Sequence, residues 1–113
     1  MQTTALVKFV VDKIEDMKGR DVAVLDVQQQ SSITDHMVIC SGNSKRHVQS
    51  IAHNILSQAK QADVHIIGSE GTDAGEWVLV DLGDVVVHVM QDDTRDFYQL
   101  EKLWKPQAES QVG

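Results

Sequence analysis

Three groups of residues in this 113-residue chain have types and spacing that could do chemistry. Asp81 and Asp84 flank Gly83 closely enough to invite a general acid/base pair or a carboxylate metal site. Five histidines (His36, His47, His53, His65, His88) and one cysteine, Cys40, offer nitrogen and sulfur ligands. Ser41-Gly42-Asn43-Ser44 opens a helix whose first turn carries Lys45, Arg46 and His47. Cations at the positive end of a helix dipole make sense beside a bound anion.

On spacing alone none of the three closes into a site. No histidines have HExxH spacing and there is no cysteine pair. His36 and Cys40 stand four apart in a strand, roughly 13 Å, and cannot share an ion. Cys40 ends an apolar strand, where a thiol is buried and inert. Asp81 and Asp84 also suit a polar hairpin tip, with no third ligand, and Glu70 and Glu76 read as loop solvation. Ser41–Ser44 is equally a good turn and cap. The expectation is no catalytic residue, no metal and no cofactor.

The elements that must position these residues follow from periodicity. Ala5, Leu6, Phe9, Val10, Ile14 and Met17 keep helical spacing, with Thr3 or Thr4 as N-cap and Gly19 as stop. Residues 21–27 and 36–40 read as strands. Ser44 caps a second helix with Val48, Ile51, Ala52, Ile55, Leu56 and Ala59 on its apolar stripe. Residues 64–67 read as a short strand, and 68–75, with three glycines, as a loop. A hairpin at 76–90 and one amphipathic helix ending at Pro106 complete the chain. The order α-β-β-α-β-β-β-α predicts an α/β (α+β) domain, a mixed, roughly five-stranded sheet packed by helices. It spans 1–105, with 106–113 as a flexible tail.

The hairpin turns at Leu82-Gly83 or Gly83-Asp84, and either choice gives the same facing, whereas a three-residue loop with a bulge would reverse one strand. Val78, Val80, Val85, Val87 and Val89 form a core face. Trp77, Leu79, Asp81, Val86, His88 and Met90 form a mixed one, either covered by the last helix or left partly open. His88 reads as a satisfied, half-buried strand residue. On the last helix Phe97, Leu100, Leu103 and Trp104 cluster as core. Tyr98 points away from them, sharing its side with Arg95, Lys102 and Lys105, either as an interface anchor or lying along a strand with its hydroxyl in water.

Composition narrows the class. A net charge of −7 repels phosphate, and no basic stripe is interleaved with aromatics, so direct nucleic-acid binding is not expected as the main activity. A single cysteine excludes an intrachain disulfide framework. No segment approaches the ~20 apolar residues of a membrane span, and the start lacks a signal-peptide pattern, so the expected location is cytoplasmic.

Four segments together resemble the ribosomal silencing factor family, also called Iojap-like. They are Asp35–Ser44 with His47-Val48 and Ile51-Ala52; Glu70-Gly71; Glu76–Asp81 with Gly83–His88; and Arg95–Trp104. The resemblance implies a single domain related to the nucleotidyltransferase fold, often a homodimer. It also implies binding to the large ribosomal subunit through its fourteenth ribosomal protein, on the intersubunit face. The bound factor would block joining of the small subunit and lower translation when nutrients are scarce. An assembly factor for the large subunit is the alternative. A nucleotidyltransferase-like enzyme using Ser41, Ser44 and Asp81 or Asp84 is a weaker one, because the paired acids of that pattern are missing beyond Gly42. Facing, chemistry and family motif positions converge on Trp77, Asp81, Leu82, His88, Arg95 and Tyr98 as the residues that meet the ribosomal protein, with Glu76 and Asp84 second.

Overall fold

The computed structural model describes residues 1–103. Its elements are α1 (Thr3–Asp16), β1 (Arg20–Asp26), β2 (His36–Gly42), α2 (Lys45–Gln61), β3 (Gly68–Glu70), β4 (Trp77–Asp81), β5 (Val85–Gln91), α3 (Asp92–Tyr98) and α4 (Leu100–Leu103). The five strands form one sheet in the order β1-β2-β5-β4-β3, parallel only between β2 and β5. This is the expected mixed α+β sheet. Trp104, Lys105, Pro106 and the expected tail lie outside the described residues.

The two long helices cover the same face. Leu6, Val10 and Ile14 of α1 and Val48, Ile51, Ala52, Ile55 and Ala59 of α2 pack on Val38, Cys40, Val78, Val80, Val85, Val87 and Val89. Strand alternation explains the choice, since those strand residues share one parity and the β2–β5 register aligns them. Ser44 caps α2 by accepting the His47 backbone N–H at 3.1 Å. Ser44→Ala is expected to destabilise the fold by about 1 kcal/mol, read as a lower urea midpoint at unchanged m-value.

The helix α1 begins without a threonine cap. Its N-cap is Gln2, which makes no side-chain cap bond, and Thr3 instead donates to Asp84 Oδ2 at 3.2 Å. The helix closes through Lys18, at φ 60°, so the left-handed residue precedes Gly19. Gly19 is required for space, since a Cβ there would lie 2.4 Å from the Ile14 side chain.

The expected strand at 64–67 forms later, at Gly68–Glu70. Gly68 pairs with Asp81, the last residue of β4, so residues 64–67 run past the end of their neighbour. Val64 and Ile66 are nevertheless half-buried against the core. The larger departure is at the C-terminal end. The single amphipathic helix is broken at Gln99, which takes the left-handed conformation (φ 48°, ψ 48°). As a result Phe97 and Leu103 are 80% and 70% exposed, and of the described members of the expected apolar cluster only Leu100 packs inward.

Candidate functional site

Among the described residues, the sheet face opposite α1 and α2 has no long helix on it. Its floor is a second apolar cluster of Val27, Met37, Ile39 and Met90, with Leu25, Trp77 and Leu100 packed at its margin. The helices α3 and α4 cross it as a strap. Two polar anchors hold the strap down. Arg20 Nη2 donates to Asp92 Oδ2 at 2.7 Å and its Nε to Asn43 Oδ1 at 2.6 Å. Arg95 Nη1 donates to Ser41 Oγ at 2.8 Å and its Nε to Glu101 Oε1 at 2.7 Å. Burial works against the Arg95 charge, but its hydrogen bond to Glu101 and the charges of Glu101, Asp21 and Cys40 outweigh that and hold its pKa above the ordinary value.

The hairpin sets the rest of the site. Leu82 N–H donates to Val85 O, so the two-residue loop is Gly83-Asp84, with Gly83 at φ 87°. A left-handed first loop residue suits a type II′ turn. Asp81 Oδ1 accepts the Gly83 N–H at 2.9 Å and fixes that turn. The register Trp77↔Met90, Leu79↔His88, Asp81↔Val86 places the mixed residues together, as the alternation predicts.

On this face the aromatics form a chain. Phe97 and Tyr98 meet edge to face at 5.0 Å between centroids, Tyr98 and Trp77 at 4.9 Å, and Trp77 and His88 at 5.8 Å. Trp77 Nε1–H donates to His88 Nδ1 at 2.9 Å, which fixes the indole. Burial lowers the His88 pKa to about 4, so the imidazole is a neutral acceptor at physiological pH. Tyr98 remains 51% exposed and Phe97 more so, giving the chain a buried inner end and an open outer end.

The structure sorts the expected residues. Trp77 and Tyr98 come together, contrary to the expectation that Tyr98 points away from the apolar side, because the break at Gln99 ends the helix one residue later. Asp81 is half-buried on the same face. Leu82 is 6% exposed and belongs to the valine-side core, and His88 is 5% exposed, so neither offers a surface in this conformation. Arg95 is turned inward to Ser41 and Glu101 and positions the strap. Asp84 is exposed at the tip, and its backbone oxygen accepts from Asp35 and His36 N–H. Glu76 is exposed beside Trp77. Phe97 was expected in the core and is instead the most open aromatic among the described residues.

The chemistry suits docking. No three His, Cys, Asp or Glu groups converge on a common point among the described residues. The Cys40 thiol is pushed up to about 12 by burial, a rise that the Arg95 charge only moderates. At the Ser41–Ser44 turn, the Asn43 N–H is taken by His47 Nδ1 and the His47 N–H by Ser44, so the fold uses these donors itself.

One glycine protects the site. Gly71 has φ 83°, and a Cβ there would lie 2.2 Å from the Trp77 carbonyl oxygen. Gly71→Ala is expected to destabilise by about 2 kcal/mol, through left-handed strain plus backbone displacement. It should also change the Trp77 near-ultraviolet dichroism, because the clash falls on that residue.

Comparison with known proteins places these features. The profile of the family described as "Ribosomal silencing factor during starvation" matches residues 1–112. The Ribosomal silencing factor RsfS of Haemophilus influenzae is 46% identical over 100 residues, 88% of this chain and 98% of its own. A crystal structure of a Chromobacterium violaceum protein superposes with a TM-score of 0.90 at 43% identity, covering 94% of this chain and 91% of that one. The mouse protein named "Mitochondrial assembly of ribosomal large subunit protein 1" is 35% identical over 101 residues, 87% of this chain and 44% of its own. The names of the bacterial relatives describe regulatory factors rather than enzymes, as the lack of a closed catalytic constellation led us to expect. With the profile spanning nearly every residue and the fold shared at high overlap, this chain belongs to the ribosomal silencing factor family.

Proposed function

We propose that this chain represses translation by binding the large ribosomal subunit and blocking the small subunit from joining. The aromatic face docks on the subunit's fourteenth ribosomal protein at the intersubunit surface. The observation that carries this reading is the Trp77–Tyr98–Phe97 cluster, anchored by His88 at one end and open at the other. Aromatics on a partly desolvated, rigid base are the side chains that dominate protein–protein affinity. Asp81 adds a carboxylate at the edge for a basic group of the partner. The family name supports ribosome association, and the mouse relative's name supports the large subunit. In this reading the protein acts in the cytoplasm under nutrient limitation. The free form is a homodimer that covers the same apolar face, and residues 1–105 are the working domain.

Co-sedimentation of the purified protein with isolated large and small subunits tests the proposal. It should travel with the large subunit alone. Association with neither subunit, or equally with both, would remove it. The name of the mouse relative favours a second reading, assembly of the large subunit, which shares the partner. In that case the protein should be enriched on immature large subunits and absent from mature ones.

A further inference from the structure

The chain's charge is not evenly spread, and the exception is α2. Of 17 carboxylates in the sequence, none lies between Asp35 and Asp63, a stretch that contains the whole helix. The face of α2 away from the sheet carries Arg46, Ser50, His53, Ser57 and Lys60. That spacing (i, i+4, i+7, i+11, i+14) keeps the five within a stripe about 80° wide and about 21 Å long. Every side chain in it can donate a hydrogen bond. Arg46, His53 and Lys60 are exposed, and among the described residues none of the three has a carboxylate partner.

A groove of about 680 Å³ runs along this stripe. Its walls are the first four stripe residues, Arg46 to Ser57, with their helix neighbours Gln49, Asn54 and Leu56, Met17 after α1, and Ser69 and Thr72 of the β3–β4 segment; Lys60 lies beyond its end. No carboxylate lines it, although the flanking segments contain Asp16, Asp63, Glu70 and Asp73. Asp16 faces Lys13, at 3.8 Å. The first turn of α2 also has no acid to offset Lys45, Arg46 and His47 against the helix dipole. An uncompensated cationic end, continued along a stripe that can donate at every position and holds no carboxylate, suits an anion supplied from outside.

We propose that the outer face of α2 is a second contact surface, and that its occupant is the phosphate backbone of RNA. The stripe's length matches a run of three or four phosphates, whose successive spacing in an extended strand is comparable to one helical turn of about 5.4 Å. Without interleaved aromatics it cannot stack bases, so the contact is independent of sequence. On a protein of net charge −7 it is a local, salt-sensitive contact that adds to the aromatic face on the opposite side of the sheet.

The test titrates the full-length ¹⁵N-labelled protein with a 12-nucleotide oligouridylate at low salt. Amides of residues 46–60 should shift, while those of Trp77 and Tyr98 stay in place. Arg46→Ala with Lys60→Ala should abolish the shifts, and both side chains are exposed, so the fold is retained. On isolated large subunits, Arg46→Ala alone should reduce the slope of log affinity against log salt by about 1. Tyr98→Ala should lower affinity with the slope unchanged, which separates the two surfaces. Absence of α2 shifts at millimolar oligonucleotide would overturn the inference, as would shifts confined to the aromatic face. An unchanged salt slope in Arg46→Ala would do the same. The oligonucleotide arm stands even if the protein proves not to bind subunits.

Discussion

Tyr98→Ala is expected to weaken binding to the large subunit by about 30-fold, or about 2 kcal/mol, while leaving the protein folded. Tyr98 is half exposed, and its ring contacts are to Trp77 and Phe97 rather than to the main core. Removing it therefore creates no closed cavity. What is lost is apolar area presented at a fixed angle, since Trp77 beneath it is held by its bond to His88. Competition sedimentation with labelled wild-type protein gives the affinity, and far-ultraviolet dichroism checks the fold. An unfolded variant would move Tyr98 into the structural core. A folded variant with unchanged affinity would clear the aromatic face of any role in docking.

The second large effect is a pH dependence centred on His88. Burial holds its folded pKa at about 4, against 6.5 for the free side chain. Above pH 6.5 the imidazole is neutral in both folded and unfolded chains, and its contribution to stability is fully present. As pH falls from 6.5 towards 4 the unfolded chain gains a proton that the folded chain does not. Stability therefore falls with pH across this window, by about 3 kcal/mol in total at about 1.4 kcal/mol per unit. Protonation would also set an N–H on Nδ1 against the Trp77 N–H and break the bond that orients the indole. His88→Asn keeps a polar side chain but does not titrate. Urea midpoints from pH 7 to pH 4.5 should decline more steeply in the wild type than in this variant. The other four histidines are common to both proteins and cancel in the difference. Parallel curves would mean that His88 is not the group responsible.

Much of this site was legible in the sequence because strands alternate strictly. Whichever pair of residues formed the hairpin loop, Trp77, Asp81 and His88 had to share a face, and the valines had to share the other. The same parity places Leu82 with Val78 and Val80. Its burial was therefore readable from the strand pattern, although its place in a family motif suggested a contact residue. The stripe of α2 and its Ser44 cap were equally local and equally readable. Gln99 was not. A non-glycine residue in the left-handed region has no reliable sequence signal, and here the two anchored ends of the strap stabilise the break. That one residue turns Phe97 outward and brings Tyr98 onto Trp77. The shift of β3 was hidden for a different reason, since where a ladder starts depends on where its neighbour ends. Arg95 sat on the polar side of a continuous helix in sequence, and only the fold shows that Ser41 and Glu101 take its donors.

If the protein silences by occupying the large subunit, its presence there must keep the small subunit off, and a subunit-joining assay reads that outcome. Purified large subunits, incubated with the protein before small subunits are added, are resolved on a sucrose gradient. Joined ribosomes should become fewer as protein is added, with the protein on the free large subunits and Tyr98→Ala much less effective. Undiminished joining on large subunits that carry the protein would rule out silencing by occupancy.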